Sequence, residues 1–166
     1  FHAGNAYFFT PNTRNFASGV YDPKTGLVKF RNVCWFTNID HGRRHRPLPL
    51  MTMSENLKFS KHKEIKGKKA YDQYENYDGI DVPFTDAIPS DYKGIMGVPI
   101  TFLDKYSPEQ FEIIWQASGN TRASAPKDIL KRLKYTPHPE DRGGCTIVNG
   151  QRTYGRILIK HRHGKK

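Results

Sequence analysis

The residues with the most chemical character in this chain are its cations, and they are grouped. His41-Gly42-Arg43-Arg44-His45-Arg46-Pro47 places three guanidiniums and two imidazoles in one short stretch. Guanidiniums so arranged can grip phosphates with two prongs, and a single one can read a guanine edge in the major groove. The internal glycine and the closing proline predict a basic loop. Lys58, Lys61, Lys63, Lys66, Lys68 and Lys69 follow, point charges suited to backbone attraction and poor at sequence readout. Further on, Asn120 and Arg122 lie in a polar loop ahead of Lys127, Lys131, Arg132 and Lys134. Asn and Arg are the side chains that pair with adenine and guanine edges. The competing reading of all three groups is a solvated surface, with ion pairs to an acidic stretch as a further alternative for the arginine loop.

Other chemistries fit less well. His41 and His45 have the spacing of a metal pair, but Gly42 disfavours a helix and the arginines repel a cation. Glu64-Ile65-Lys66, with Asp40 upstream, imitates the carboxylates and lysine of a Mg²⁺-dependent nuclease. That motif belongs on a strand beside a buried metal, whereas here it sits among lysines. Cys34 and Cys145 read as core thiols, too few to staple a secreted scaffold, so a reducing cytoplasm is expected.

The charge is unevenly distributed. With 27 Lys and Arg against 16 Asp and Glu, the 166 residues carry a net charge of +11. By stretch the net is +2 over 1–40, +7 over 41–69, −7 over 70–115 and +9 over 116–166. This predicts a positive face and a separate negative one, the positive face meeting a polyanion, of which nucleic acid is the commonest. A basic nucleic-acid-binding module without catalysis satisfies the same charge. The aromatic runs are apolar-flanked, however, and look like core rather than stacking platforms. No run of 18 apolar residues exists, so no membrane helix is expected. The first residue is not Met, which suggests a piece of something longer.

The elements that must position these cations are mostly strands. Ala6–Thr10, Leu27–Phe30 and Val33–Thr37 read as strands, the last two separated by a polar excursion, and Asp22-Pro23-Lys24-Thr25-Gly26 reads as a turn. Residues 58–69 are expected to be exposed and mobile. Ile80 and Val82 suggest a short strand, and Ile95–Leu103 a buried segment that Gly97 and Pro99 keep from being a regular helix. Ser107-Pro108-Glu109-Gln110 has the form of a helix start, although Phe111–Trp115 just after it reads as a strand. Pro126–Lys134 reads as a helix with Ile129, Leu130 and Leu133 on one side. Cys145–Val148, Asn149-Gly150 and a strand ending Arg156–Lys160 predict a hairpin with a type I′ turn. The class is α+β, with mixed or antiparallel strands and a few short helices.

Several of these stretches together resemble one family. Trp35-Phe36-Thr37-Asn38-Ile39-Asp40-His41 with Arg44-His45, then Glu75-Asn76-Tyr77-Asp78-Gly79-Ile80, look like the EcoRI-type adenine-specific DNA methyltransferases. So do Gly94 through Tyr106, Phe111-Glu112-Ile113 and the closing Arg156-Ile157-Leu158-Ile159. Enzymes of that kind carry an Asn/Asp-Pro-Pro-aromatic motif for the flipped adenine and a glycine-containing turn for S-adenosylmethionine. This sequence has no Pro-Pro dipeptide and no glycine-rich turn after a convincing parallel strand.

The resemblance therefore implies the C-terminal portion of such an enzyme, inactive alone. Residues 1–47 would be the last antiparallel strands of the catalytic sheet, and 48–166 a target-recognition and DNA-binding region. It implies S-adenosylmethionine as cofactor of the full-length parent and double-stranded DNA as partner, with a cognate restriction endonuclease as a second candidate partner. The candidate DNA-binding residues are His41, Arg43, Arg44, His45, Arg46, Lys61, Lys63, Lys66, Lys68, Lys69, Asn120, Arg122, Lys131 and Arg132.

Overall fold

The computed structural model describes residues 2–9, 19–35, 39–40 and 42–162, in two units, Phe1–Asp40 and His41–Lys166. In the first, β1 (His2–Phe9), β2 (Gly19–Asp22) and β3 (Leu27–Trp35) form an antiparallel sheet in the order β1-β3-β2. The expected turn joins β2 to β3. The Asp22 carboxylate accepts from the Lys24 amide and the Thr25 hydroxyl, both at 2.9 Å, and Gly26 closes the turn at φ 70°. Between Leu27 and Trp35 one strand replaces the two expected. Arg31 and Asn32 fall where the register with β1 shifts between Gly4 and Ala6, so the polar excursion is an irregularity within one continuous strand. Thr10, Phe36, Thr37 and the side chain of Cys34 lie outside the described residues.

The second unit is built on a mixed four-stranded sheet. Its strands are β4 (Gly79–Asp81), β5 (Ile95–Pro99), β6 (Phe111–Ala117) and β9 (Arg156–His161), in the order β4-β5-β9-β6. β4 and β5 are parallel, and β9 is antiparallel to both its neighbours. Alternation along β9 builds a core on both faces. Ile157 and Ile159 join Ile80, Val98, Phe102 and Phe111 in one cluster, while Leu158 joins Tyr74, Tyr77, Ile114 and Leu133 in the other. Each such side chain, fully buried, contributes roughly 1.5–3 kcal/mol. The fold is α+β, and among the described residues no helix is long and apolar enough to cross a membrane.

Two glycines are dictated by close approach. A Cβ at Gly79 would lie 2.7 Å from the Ile95 carbonyl, across the parallel pair, and one at Gly97 would collide with the Tyr74 hydroxyl. Tyr74 thus packs directly on the backbone of β5. The segment that reads as buried is β5 followed by a 3₁₀ turn, Ile100–Asp104.

Three expectations are corrected. Residues 58–69 are not uniformly exposed: helix α1 (Met53–Phe59) runs into them, Ser60 is buried, and Ile65 is 3% exposed in the core. Thr52 and Glu55 form a capping box, with Glu55 N donating to Thr52 Oγ1 at 3.3 Å and Thr52 N to Glu55 Oε2 at 2.8 Å, a signal the lysine count obscured. Ser107–Gln110 is a single turn, whose Gln110 and Phe111 amides donate to the Ser107 carbonyl before β6 begins. The hairpin of β7 (Ile147–Val148) and β8 (Gln151–Arg152) does turn at Asn149 and Gly150, both at positive φ. Its second arm ends at Arg152, however, and Arg156–His161 departs to the large sheet.

Candidate nucleic-acid interface

The basic loop is a 3₁₀ turn, Gly42–His45, fastened by two consecutive residues of a distant segment. His45 Nδ1 lies 2.6 Å from Glu109 Oε1. The Leu48 amide donates to Gln110 Oε1 at 2.7 Å, and Gln110 Nε2 donates back to the Leu48 carbonyl at 3.0 Å. The hydrogen bond from His45 holds the Glu109 carboxyl below its ordinary range. Arg44 is half-buried and Arg46 is exposed, the latter lining an open cleft with Pro47, Asp104 and Lys105. His41 and the side chain of Arg43 lie outside the described residues.

The lysine segment is tied to the sheet. Lys61 Nζ and His62 Nε2 approach the two oxygens of Asp86 at 2.6 and 2.8 Å, while the His62 ring stacks on Phe84 with centroids 3.6 Å apart. Lys68 pairs with Asp72 at 2.5 Å. Lys63, Lys66 and Lys69 are exposed, with no acidic partner among the described residues. Glu64 and Lys66 flank buried Ile65 in a turn, which is not the strand that a nuclease site requires.

The third group is divided in the same way. Asn120 is exposed and precedes α2 (Thr121–Ser124), so the predicted loop is partly helical. Arg122 Nε donates to the Tyr135 hydroxyl at 2.9 Å, and its Nη2 lies 2.5 Å from Asp141 Oδ1. On α3 (Lys127–Arg132), Arg132 grips Glu112 with two bonds of 2.7 and 2.6 Å, whereas Lys131 is exposed without an acidic partner among the described residues. The last residue of the basic cluster, Lys134, reaches Asp78 at 2.6 Å.

The expected separate negative face is therefore corrected. Asp72, Glu75, Asp78, Asp81, Asp86, Glu109 and Glu112 each meet a cation or imidazole from a flanking stretch. Seven of the nine acids in residues 70–115 are used this way, so the sequence blocks interleave in space. Of the candidate DNA-binding residues, Arg46, Lys63, Lys66, Lys69 and Lys131 are exposed with no acidic partner among the described residues.

Sequence reasoning missed the surface of the β7–β8 hairpin. Gln151, Arg152 and Tyr154 are exposed there, Tyr154 by 82%. The Asn-Gly turn is legible, but the residues after it read as part of one long core strand.

A family profile described as "Adenine-specific methyltransferase EcoRI" matches residues 1–162. Type II methyltransferase M.EcoRI of Escherichia coli is 36% identical over 140 residues, covering 84% of this chain and 33% of that protein. Type II methyltransferase M.MgeORF184P of Mycoplasma genitalium is 35% identical over 154 residues, covering 92% and 42%. Type II methyltransferase M.MpnI of Mycoplasma pneumoniae is 34% identical over 152 residues, covering 86% and 43%. The chain thus spans less than half the length of the curated relatives it matches. No solved structure matches it.

Proposed function

The chain belongs to the family described as adenine-specific methyltransferase EcoRI, and from that premise we propose that it is the C-terminal part of an S-adenosylmethionine-dependent DNA methyltransferase of a restriction-modification system. Its own task is to bind DNA and recognise the target. The observation that supports a part of a longer enzyme is the extent of the match, which covers nearly all of this chain but at most 43% of a relative. The C-terminal placement rests on the lack of a Pro-Pro dipeptide in this sequence. On this reading residues 1–47 belong to the catalytic domain and 48–166 to the recognition region. The methyl transfer belongs to residues outside this chain, and a cognate endonuclease acts on the same site.

The described residues do not fit the cofactor. A nucleoside cofactor of this kind needs a glycine-rich turn after a parallel strand. The parallel pair among the described residues leads from β4 into Val82-Pro83-Phe84 and from β5 into the Ile100–Asp104 turn, neither of which contains a glycine.

DNA attraction is the part the geometry supports. Arg46, Lys63, Lys66, Lys69 and Lys131 offer charge to phosphates without first breaking an ion pair seen here. Titrating this chain with duplex DNA across a salt series is expected to show weak binding that falls steeply as salt rises, because counterion release dominates. A flat salt response overturns the reading. Calorimetry with S-adenosylmethionine is expected to show no binding to this chain; binding would return the catalytic role to it.

A further inference from the structure

Resting on that DNA-binding reading, we propose that the β7–β8 hairpin is a base-contacting element, with Tyr154 packing against a base or its sugar and Arg152 pairing with a base edge. Nothing in the charge pattern or the family match singles out these two residues. They are marked by a contrast between a firmly held backbone and idle side chains.

The hairpin is held at several points. The Gly150 amide donates to Glu75 Oε1 at 2.6 Å, the Ile147 amide to Asn76 Oδ1 at 3.0 Å, and the Glu75 amide to the Ile147 carbonyl at 3.0 Å. Beyond β8, the Thr153 amide donates to the Thr146 carbonyl at 2.9 Å, and the two threonine hydroxyls are bonded to each other. The Tyr154 carbonyl accepts from Thr153 Oγ1 at 3.0 Å and from Arg156 Nη1 at 3.3 Å. A backbone so anchored loses little conformational entropy on binding, leaving only the two side chains to be ordered.

What the hairpin presents is unused. Thr153 turns inward to Thr146, leaving Arg152 and Tyr154 on either side of it exposed. Tyr71, Tyr74 and Tyr77 are 4–6% exposed, against 82% for Tyr154. Arg152 has no acidic partner among the described residues. A cleft of about 650 Å³ adjoins the hairpin, lined by Arg152, Tyr154, Gly150, Cys145 and Glu140.

The charge of that cleft selects among the parts of DNA. A phosphate there would meet the Glu140 carboxylate as well as Arg152. A base edge presents donors and acceptors side by side, so it suits an arginine and a glutamate together, and arginine pairs bidentately with guanine O6 and N7. A two-stranded ribbon also has the width that the major groove admits. The tyrosine ring adds apolar packing area, against a thymine methyl or a sugar, that does not depend on salt.

The test uses this 166-residue chain and mixed-sequence duplex DNA, titrated across a salt series. Tyr154→Ala is expected to weaken binding about tenfold, through the ring area it no longer withdraws from water, with the slope of log affinity against log salt unchanged. Arg152→Ala is expected to weaken it comparably, and Arg152→Lys to recover only part. Melting temperatures of all three are expected to match the wild type, since both side chains are exposed. If the wild type binds and these variants bind equally well, the hairpin proposal is overturned while DNA binding stands. Full recovery by lysine, with a slope lowered by one phosphate contact in the alanine variant, also overturns it. If the wild type binds no DNA at low salt, the functional reading falls first and takes this one with it.

Discussion

Asn76 grips Ile147 from 71 positions away. Its Oδ1 accepts the Ile147 amide at 3.0 Å, while its Nδ2 donates to the Cys145 carbonyl at 2.7 Å. Its neighbours behave likewise. The Tyr77 hydroxyl donates to the Gly144 carbonyl at 2.5 Å, and the Asp78 amide to the Leu133 carbonyl at 3.0 Å. The Glu75-Asn76-Tyr77-Asp78 string is thus a clamp on segments late in the chain.

Asn76→Ala is expected to destabilise the fold by about 2–4 kcal/mol, because it strands the buried Ile147 amide and the half-buried Cys145 carbonyl. In thermal unfolding this is a drop of roughly 10 °C. Asn76→Asp keeps the acceptor for Ile147 but sets a buried carboxylate oxygen against the Cys145 carbonyl, so at neutral pH its midpoint is expected to fall at least as far as that of Asn76→Ala. An unchanged midpoint in Asn76→Ala would show that the string is not a structural clamp.

Gly97 and Tyr74 are expected to be energetically coupled. The Tyr74 hydroxyl donates to Asp81 Oδ1 at 2.8 Å, beside the Arg156–Asp81 ion pair, itself about nine-tenths buried. A methyl at position 97 collides with that hydroxyl, so Gly97→Ala is expected to cost about 1–3 kcal/mol. Tyr74→Phe removes the nearest clashing atom. In a double-mutant cycle, Gly97→Ala is expected to cost less when combined with Tyr74→Phe than in the wild type. Strict additivity would show that the backbone shifts instead.

How much of this was legible in the sequence depends on the range of the forces involved. The Asn149-Gly150 turn and the Lys127–Arg132 helix were, because local backbone preference and 3.6-residue periodicity decide them. The placement of Arg156–His161 between β5 and β6 was not, since strand partners distant in sequence leave no local mark. The pairing of acidic and basic stretches was hidden for the same reason: Arg132 and Glu112 are 20 positions apart, and Arg156 and Asp81 75. Block charge reports excess, and only the fold reports which cations are already engaged.

Asp141 gives the fold a measurable acid sensitivity. Burial alone raises its carboxyl, but bonds from the Tyr135 hydroxyl and the His138 and Gly143 amides, with the Arg122 charge, bring it from 3.8 down to about 2. The folded value lies below the unfolded one, so this stabilisation is complete above about pH 4 and is lost as pH falls towards about 2. The melting temperature of the wild type is expected to drop across that window. Asp141→Asn is expected to melt lower at neutral pH, with the gap to wild type narrowing below about pH 4. A gap of constant size down to about pH 2 would exclude Asp141 as the titrating group.

The engaged and unengaged cations are expected to separate in one DNA-binding experiment. Lys63, Lys66 and Lys69 have no ion pair to break, so each Ala substitution that removes a phosphate contact is expected to lower the salt slope by about one. Arg122 and Arg132 differ in kind. For either to reach a phosphate, Asp141 or Glu112 must be left without its partner, and Asp141 is fully buried. Leaving a buried carboxylate unpaired costs several kcal/mol, more than one phosphate contact returns. Arg122→Ala is therefore expected to leave the salt slope unchanged while lowering the melting temperature. The Arg132–Glu112 pair, with side chains 42% and 35% exposed, is instead a surface pair that a phosphate can replace at little cost. Lys61 is a similar case. Its pair with Asp86 is exposed and worth at most about 1 kcal/mol, so a phosphate can replace Asp86 and Lys61→Ala is expected to lower the slope. A slope that fell for Arg122→Ala with stability intact would mean that its bonds to Tyr135 and Asp141 are exchanged for DNA on binding.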